Sequence, residues 1–361
     1  MTVELQPPPR ERGFCFWECM AVALMSAVSP VVLAWQEASE VYSHVHIQAH
    51  SEPVPVMDMV GGWDGPFESG RYAFGDARFV IGLNRQHWFL EREQRWHYDL
   101  RFSRGMSRYY FAQEHGDSVQ HDESLMLDVR SIEAWGARVG RRIAFQTAYG
   151  AVSLRPAFIL YRVGHFQFGH LSGKAEAGGQ DQASAQLRYF YDEDKILEHD
   201  PFVDKGWGLS TDVVVDWEKN QWQAKLVVHD LVNQWRWEDA AYTTACINFN
   251  DPAESICSSS GTASGRSGQR KYIARLLPTA SARLTHQIWQ TQVRLDWHGH
   301  YQRMGFTRFL LDKRLGLSAF SSRQLGIEWQ SDWVSFYWQS DDLRLSYARD
   351  IDMGLSFNVA W

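Results

Sequence analysis

The last 19 residues of the chain alternate between two kinds of side chain, and this pattern limits the possible folds more than any other feature. Even-numbered positions carry polar or small residues, and odd-numbered positions carry apolar ones with a single charged exception, Arg349. The apolar set is Leu343, Leu345, Tyr347, Ile351, Met353, Leu355, Phe357, Val359 and Trp361. Successive side chains of a β-strand point to opposite faces, so the pattern predicts a strand between apolar and wet surroundings.

The same alternation recurs along most of the chain, which predicts an all-β fold. Apolar and polar residues alternate over residues 96–103, 289–298 and 334–338. Two further runs, 207–217 and 222–228, flank a short polar stretch and predict a long hairpin with a tight turn at 218–221. Beyond this hairpin the apolar positions change parity, which predicts a β-bulge near His229 and Asp230.

Two architectures place an apolar and a polar face on the same strand. A soluble β-sandwich or jelly roll buries the apolar face between two sheets, whereas a transmembrane barrel turns it toward lipid. The chain has 17 tryptophans, and many fall at predicted strand ends, as in the aromatic girdles of membrane barrels. These positions are Trp96, Trp207, Trp217, Trp222, Trp235, Trp237, Trp289, Trp297, Trp329, Trp333, Trp338 and Trp361. They favour a transmembrane antiparallel β-barrel of roughly 12–14 strands, with the soluble sandwich as the alternative.

The barrel model assigns residues to its surfaces. The residues predicted to lie at the membrane interface are Trp96, Trp207, Trp217, Trp222, Trp297 and Trp361. The residues predicted to face the lumen are Asp99, Arg101, Asp212, Asp216, Lys225, Arg294 and Asp296. A membrane crossing takes about 9–11 residues, so the last alternating stretch is too long for one crossing, and its part up to about Asp350 is predicted to form an external rim.

The N-terminal part of the chain predicts export. Residues 20–35 form an apolar run that Arg10 and Arg12 precede and that closes with the small-residue pattern Val32-Leu33-Ala34. We therefore expect residues 1–34 to be a secretory signal peptide, with an N-terminal membrane anchor as the alternative. Residues 35–76 are predicted to be a periplasmic arm, an insert into the barrel mouth or a disordered tail, and residues 77–361 the barrel.

Two cysteines, Cys246 and Cys257, follow the predicted leader within one polar segment. In an oxidising compartment such a pair is expected to form a disulfide, because a metal site needs more ligands than this segment offers. The disulfide would tie down residues 249–269, which are predicted to be an external loop.

The final ten residues, DMGLSFNVAW, resemble the C-terminal signature strand of Gram-negative outer-membrane β-barrel proteins. Such strands end in an aromatic residue after alternating apolar positions, with polar and glycine elements upstream. The resemblance implies that Asp352, Gly354, Phe357, Val359 and Trp361 form the signal that the barrel-assembly machinery recognises. It also implies a location in the outer membrane after export through the periplasm. Residues 206–237 loosely resemble a hairpin of fatty-acid-transporter-like barrels, a likeness too short to name a substrate.

Few residues suggest catalysis or metal binding. His97 and Asp99 share a predicted strand face, Asp341 and Asp342 adjoin, and His298 and His300 lie two apart. A polar lumen needs such residues anyway, and no Gly-x-Ser-x-Gly, phosphate-loop or HExxH motif is present. We therefore expect no catalytic residues, no metal and no cofactor, and predict that the protein is not an enzyme.

These observations predict a porin-like channel or transporter for a small or amphipathic solute. Lumen charges of both signs argue against strong ion selectivity. The alternatives are a non-conducting structural or assembly component of an envelope or secretion machine, and a barrel-embedded hydrolase. The expected partners are outer-membrane lipid, the assembly machinery and an unidentified envelope complex. A net charge of −7 without a basic block argues against nucleic acid.

Overall fold

The structure is a computed structural model that describes residues 40–177, 182–193, 205–249, 252, 255–257 and 263–360. Antiparallel strands dominate it, and none of the helices in these ranges is long and apolar enough to span a membrane. The helices are α1 (Asp58–Gly61), α2 (Arg104–His115) and a 3-10 helix (Leu345–Tyr347). The strands are β1 (Glu40–Ser51), β2 (Tyr72–Arg85), β3 (Trp88–Phe102), β4 (Glu123–Arg141), β5 (Ile143–Thr147), β6 (Gly150–Ala175), β7 (Ala183–Tyr191), β8 (Trp207–Lys219), β9 (Trp222–Phe249), β10 (Ala263–Ala274), β11 (Thr279–His286), β12 (Thr291–His298), β13 (Tyr301–Leu310), β14 (Leu315–Phe320), β15 (Leu325–Gln330), β16 (Val334–Ser340) and β17 (Asp350–Ala360).

These strands form a closed ring. Three ring strands consist of two segments each, namely β4 with β5, β7 with β8, and β10 with β11. The two segments of each pair follow each other along one shared neighbouring strand. The 17 segments therefore make 14 ring strands, and β1 closes the ring by pairing with both β2 and β17. The predicted transmembrane antiparallel barrel is confirmed, at the upper end of the expected strand number.

The predicted boundary between an N-terminal arm and the barrel is wrong. Residues 40–51 of the supposed arm are strand β1, and β2 begins at Tyr72, before residue 77. The backbone of β1 pairs with β17 on one side and with β2 on the other, so this segment belongs to the barrel wall. Only residues 52–71 of the described part of the predicted arm lie outside strands, and they include α1. The predicted leader, residues 1–34, lies outside the described residues.

The two ends of the barrel differ in their connections. At one end the connections are short, namely 86–87, 148–149, 220–221, 287–290, 311–314 and 331–333, and β1 begins and β17 ends there. At the other end lie the long connections 52–71, 103–122 and 341–349, beside the short ones 299–300 and 321–324. Outer-membrane barrels have short periplasmic turns and longer external loops, so we call these the periplasmic end and the external end. Residues 52–71 therefore lie at the external end, not at the periplasmic end that was predicted for an arm.

Three predictions concern the chain near the external end, and one of them is wrong. The predicted loop 249–269 is shorter, because β9 continues to Phe249 and β10 begins at Ala263. The predicted disulfide between Cys246 and Cys257 is confirmed, and it ties β9 to this connection. As predicted, the last strand begins only at Asp350, after the 3-10 helix.

Helix α2 covers the outer side of the wall beyond the external end of the membrane band. Its first turn is capped by the Ser103 hydroxyl, which accepts a hydrogen bond from the Met106 amide at 3.0 Å, and Gly116 ends it with a left-handed φ of 68°. Trp63 from the 52–71 segment packs edge-on against Tyr110 with ring centroids 4.8 Å apart. Burial, followed by a hydrogen bond with Glu114, raises the pKa of Tyr110 to about 12. These contacts join the first two external connections into one layer.

Apolar side chains form a band around the outside of the barrel, with tryptophans near both of its edges. Near the periplasmic edge lie Trp88, Trp217, Trp222, Trp289, Trp329 and Trp333. Near the external edge lie Trp96, Trp207, Trp297 and Trp338. On β3 and β8, eight and ten residues separate the tryptophans of the two rings, Trp88 from Trp96 and Trp207 from Trp217. At about 3.3 Å per residue and 35–45° tilt this gives roughly 19–27 Å, close to the roughly 25 Å of the apolar band of such barrels. Trp361 lies outside the described residues.

Trp235 and Trp237 do not belong to either ring, although the sequence predicts them at strand ends. Both are fully buried inside the barrel. The left-handed residue Asp230 and the register shift in β8 opposite it mark the predicted bulge. Because this bulge adds two residues to β9, odd-numbered side chains point inward on both sides of it, and Trp235 and Trp237 share the inner face with Lys225.

One charge interrupts the apolar band. Arg92 on β3 points outward between Ile81 of β2 and Ala137 of β4, and its guanidinium lies 5.5 Å from the ring centre of Trp135. An arginine facing lipid near the bilayer midplane costs about 2–4 kcal/mol. We therefore expect Arg92→Leu to stabilise the barrel in lipid bilayers by about that amount, as measured by reversible urea unfolding.

The matched control for this prediction is Arg141→Leu. Arg141 also lies over a tryptophan, 5.4 Å from the ring centre of Trp88, but at the periplasmic edge, where lipid exposure of arginine costs about 0–1 kcal/mol. Equal effects of the two substitutions would mean that Arg92 does not sit within the hydrocarbon.

Candidate functional site in the barrel interior

The side chains on the inward faces of the strands form layers at different heights along the barrel axis. All seven residues predicted to face the lumen lie on these faces: Asp99, Arg101, Asp212, Asp216, Lys225, Arg294 and Asp296. Asp99, Asp212, Arg294 and Asp296 are buried, whereas Asp216 and Lys225 line a cavity at the periplasmic end. The interior is therefore closed at its middle level and open to water at the periplasmic one.

Opposite walls of the barrel touch each other. The rings of Phe74 on β2 and His298 on β12 stack with centroids 3.9 Å apart, although these strands are seven positions apart in either direction around the ring. A circular ring of this strand number, with neighbours about 4.8 Å apart, would be roughly 20–25 Å across, too wide for two side chains to meet. The barrel is therefore flattened, and its opposite walls pack much as the two sheets of a sandwich do.

The first buried charge network crosses the lumen between β3 and β9. The Arg95 guanidinium lies 3.0 and 2.7 Å from the two carboxylate oxygens of Asp230, and 3.1 Å from Asp76. Arg95 is fully buried, and β9 lies four positions from β3 around the ring. Arg78 on β2 lies 3.8 Å from both Asp212 and Asp230. These ion pairs thus connect wall segments that share no backbone hydrogen bonds.

The second buried charge network links β12 and β13 to β17. The Arg303 guanidinium binds Asp352, four ring positions away, and its Nε lies 2.7 Å from Asp296. Arg294 lies 2.9 Å from Asp352, whose carboxylate is fully buried. We call the two networks together the central constriction, which consists of Asp76, Arg78, Arg95, Asp230, Arg294, Asp296, Arg303 and Asp352.

The residues of the predicted assembly signal fall on both faces of β17. Asp352 belongs to the central constriction, and Gly354 lies where a larger side chain would strike the ring of Tyr337. Phe357 and Val359 are exposed on the outer face. The polar and glycine elements therefore have a packing role inside this barrel, and recognition by the assembly machinery stays a prediction.

An aromatic layer lies on the external side of the central constriction. Its buried rings include Phe166, Phe168, Phe190, Trp235 and Trp237. Tyr161 joins this layer to the charges below it, because its hydroxyl donates a hydrogen bond of 2.8 Å to Glu93. This layer is apolar and lines the wall on the external side of the central constriction.

Above the aromatic layer the same face of the wall is polar and solvent-exposed. We call its charged residues the outer platform, and they are Asp128, Arg130, His170, Arg188, Arg266 and Arg270. The guanidinium of Arg270 lies over two rings, 4.5 Å from the centre of Tyr242 and 4.8 Å from that of Phe190. Nδ1 of His170 donates to Oδ1 of Asp128 at 2.7 Å. Exposed arginines over aromatic rings suit an anion that carries an apolar part.

A cavity of about 720 Å³ opens at the periplasmic end, and we call it the inner chamber. Its inward-facing charged residues are Arg155, Asp216, Glu218, Lys225 and Arg283, and Arg142 lies at its rim. Arg155 and Asp216 form an ion pair of 3.0 Å. The chamber is therefore polar, and its volume is in the range of small-molecule sites, about 300–1,000 Å³.

The other residues considered for chemistry have structural partners. His97 pairs with Asp76 at 2.9 Å rather than with Asp99, which accepts a hydrogen bond from the Tyr72 hydroxyl. Asp341 accepts hydrogen bonds from the backbone amides of Arg349 and Asp350. His298 stacks on Phe74 and points into the barrel. Across the described part of the chain, no three metal-binding side chains gather into a candidate metal site.

Comparison with known proteins gives only distant structural matches. No protein-family model and no curated protein matches the sequence. The outer membrane protease OmpT from Escherichia coli is 5% identical, with 89% of this chain and 94% of that chain covered and a TM-score of 0.22. The CymD monoaromatic hydrocarbon channel is 8% identical, with coverages of 92% and 91% and a TM-score of 0.19. The alcaligin receptor FauA from Bordetella pertussis is 9% identical, with coverages of 88% and 76% and a TM-score of 0.16.

The fold is that of an outer-membrane β-barrel. Ring closure, the apolar outer band between two tryptophan rings, and the short turns at the end where β1 begins and β17 ends carry this conclusion. At such low identities and TM-scores the matched structures carry no argument about activity.

The prediction that the protein is not an enzyme is corrected. The structures matched by this barrel include a protease beside a channel and a receptor. A fold by itself does not determine function, which depends on the site that the fold carries. Membership of this fold class therefore gives no reason to exclude catalysis.

Proposed function

We propose that the barrel is a gated conduit for a small or amphipathic solute, and that the structure represents its closed state. The observation that carries the proposal is the central constriction, whose ion pairs join non-adjacent strands between two solvent-accessible spaces, the outer platform and the inner chamber. A purely structural barrel needs neither space. In this proposal the solute enters at the outer platform and leaves from the inner chamber.

The chemistry of the constriction suits a gate. Charges buried in a protein interior are expensive unless they are paired, so Arg95 and Asp230 hold the walls together while they are in contact. Once the walls separate, water and solute ions solvate the same groups, which lowers the cost of the open state. A hydrophobic plug of equal size would lack this second, hydrated arrangement.

The test is conductance in planar lipid bilayers. We expect the wild-type barrel to be closed for most of the time, and the variant Arg95→Ser/Asp230→Ser to conduct several times more, because it removes one cross-lumen pair without changing the net charge. The matched control is Arg155→Ser/Asp216→Ser, which removes an ion pair that does not cross the lumen and should behave like the wild type.

Two results would contradict the conduit. One is an Arg95→Ser/Asp230→Ser barrel that is folded, as shown by heat-modifiable gel migration, and yet conducts no more than the wild type. The other is equal conductance of this variant and the control, since the constriction would then not limit passage.

A second candidate function, hydrolysis at the external face, is favoured by the pair Asp128 and His170. The carboxylate holds Nδ1 of the ring, which leaves Nε2 free to act as a base, and Ser172 follows on the same face of β6. Hydrolysis of p-nitrophenyl acetate and of a short peptide library by the purified barrel would test this candidate. Activity that His170→Gln does not reduce would exclude these residues.

A further inference from the structure

The inner chamber contains two cations, Lys225 and Arg283, that face each other across neighbouring strands. Lys225 on β9 and Arg283 on β11 are direct cross-strand partners on the inward face. Within the described part of the chain neither forms an ion pair with a carboxylate. Like charges directly opposite each other destabilise a sheet, so this arrangement needs a compensating group.

The neighbouring charged groups do not supply that compensation. Asp216, the cross-strand partner of Lys225 on the other side, is held by Arg155 at 3.0 Å. Arg294, the other neighbour of Arg283, is a further cation and already belongs to the central constriction. The basic side chains thus form a continuous row across β9, β11 and β12.

Four further charged groups complete the surroundings. Arg142 at the rim is a further cation, and it donates a hydrogen bond of 3.2 Å to the Ser153 hydroxyl rather than pairing with a carboxylate. Glu218 lies on the chamber wall, and Asp296 on β12 and Glu328 on β15 act on Arg283 from a distance without an ion pair. The charges of the chamber are therefore separated, with the basic row on one wall.

We infer that the inner chamber is a binding site for a small organic or inorganic polyanion, with Lys225 and Arg283 as its main contacts. The class of ligand is a solute with two or more negative charges in carboxylate or phosphate groups, because lysine and the planar guanidinium of arginine both bind such groups. The inference deepens the proposed conduit by naming its solute class. Binding itself does not require passage through the barrel.

Calorimetric titration of the purified, closed barrel tests the site, with citrate and inorganic phosphate as the probes at low ionic strength. We expect saturable binding of one or both probes. The variant Lys225→Met/Arg283→Met should bind at least about ten-fold more weakly, since each charged hydrogen bond contributes substantially. The control, Arg104→Met/Arg344→Met, removes two exposed cations at the external end and should bind like the wild type.

Removal of the two facing cations also relieves their repulsion, so the double variant should fold at least as well as the wild type. Stronger binding of citrate than of phosphate assigns the site to polycarboxylates, and the reverse assigns it to phosphorylated solutes. The inference is overturned if neither probe binds at millimolar concentration, or if the double variant binds as the wild type does. If the barrel binds citrate but none of the variants conducts, the proposed conduit is rejected and the binding site is retained.

Discussion

A chain carrying Val45→Pro will fail to form a closed barrel, whereas Val45→Thr will form one. Val45 lies in the middle of β1, between Phe79 of β2 and Leu355 of β17. Proline removes a backbone donor of the hydrogen-bond ladder and in sheets is confined to edge strands, strand starts and bulges, none of which applies to Val45. Because β1 is the strand that closes the ring, loss of its pairing leaves two open edges rather than a local defect.

The readout for Val45 is heat-modifiable gel migration together with resistance to protease in bilayers. Threonine keeps the β-branched shape and the backbone donor at this outward position, so Val45→Thr isolates the backbone effect. Normal assembly of Val45→Pro would show that β1 is a dispensable arm, as the sequence first suggested, and not part of the wall.

The strand β1 could have been recognised from its sequence. Val41, Val45 and Ile47 occupy odd positions on one face, and the opposite face carries Tyr42 and polar residues, which is the alternation used for the later strands. The inward set is rich in histidine, and its one carboxylate, Glu40, stands at the start of the strand, so it lacks the mixed charges that marked the other strands. The Gly/Pro-rich stretch that follows it made the whole segment look irregular, although that stretch begins only after Ser51.

The central constriction could not be predicted in the same way. Alternation assigns Arg95 and Asp76 to the inner face, but Asp230, the other partner of Arg95, lies 135 residues beyond it in sequence. Which inward residues meet depends on the flattening of the ring and on its register, and both are set by all strands together. Local pattern thus gives the face of a side chain, whereas contacts across the lumen are a property of the closed barrel.

The tryptophans illustrate the same limit. Strand-end positions place the ring tryptophans near the two edges of the outer band, and the bulge near Asp230 was predicted. The bulge adds two residues and leaves the odd-numbered side chains of β9 inward, so the change of apolar parity beyond it marks a move of the apolar residues to the inner face. Trp235 and Trp237 therefore lie in the aromatic layer, and alternation alone does not distinguish an apolar outer face from an apolar inner layer.

The substitution Asp352→Asn is expected to destabilise the barrel by about 3–5 kcal/mol, because it leaves the buried guanidinium groups of Arg294 and Arg303 without their shared carboxylate. Urea unfolding in bilayers measures this loss. Asp216→Asn serves as the matched control. Asp216 also pairs with an arginine, but both partners are about one-third exposed to the chamber, at 34% and 35%, so the expected cost is below about 1 kcal/mol.

A double-mutant cycle separates the loss of the pair from the cost of the uncompensated charge. In Asp352→Asn, Arg303 loses one of its two buried carboxylate partners. Adding Arg303→Gln should therefore restore part of the lost stability, with a coupling energy of about 1–3 kcal/mol. The restoration should be incomplete, because Arg303 also binds Asp296, and that carboxylate keeps only Arg294 in the double variant. Strictly additive losses would mean that the second network is hydrated in the native barrel, and the constriction would then not be closed on the β17 side.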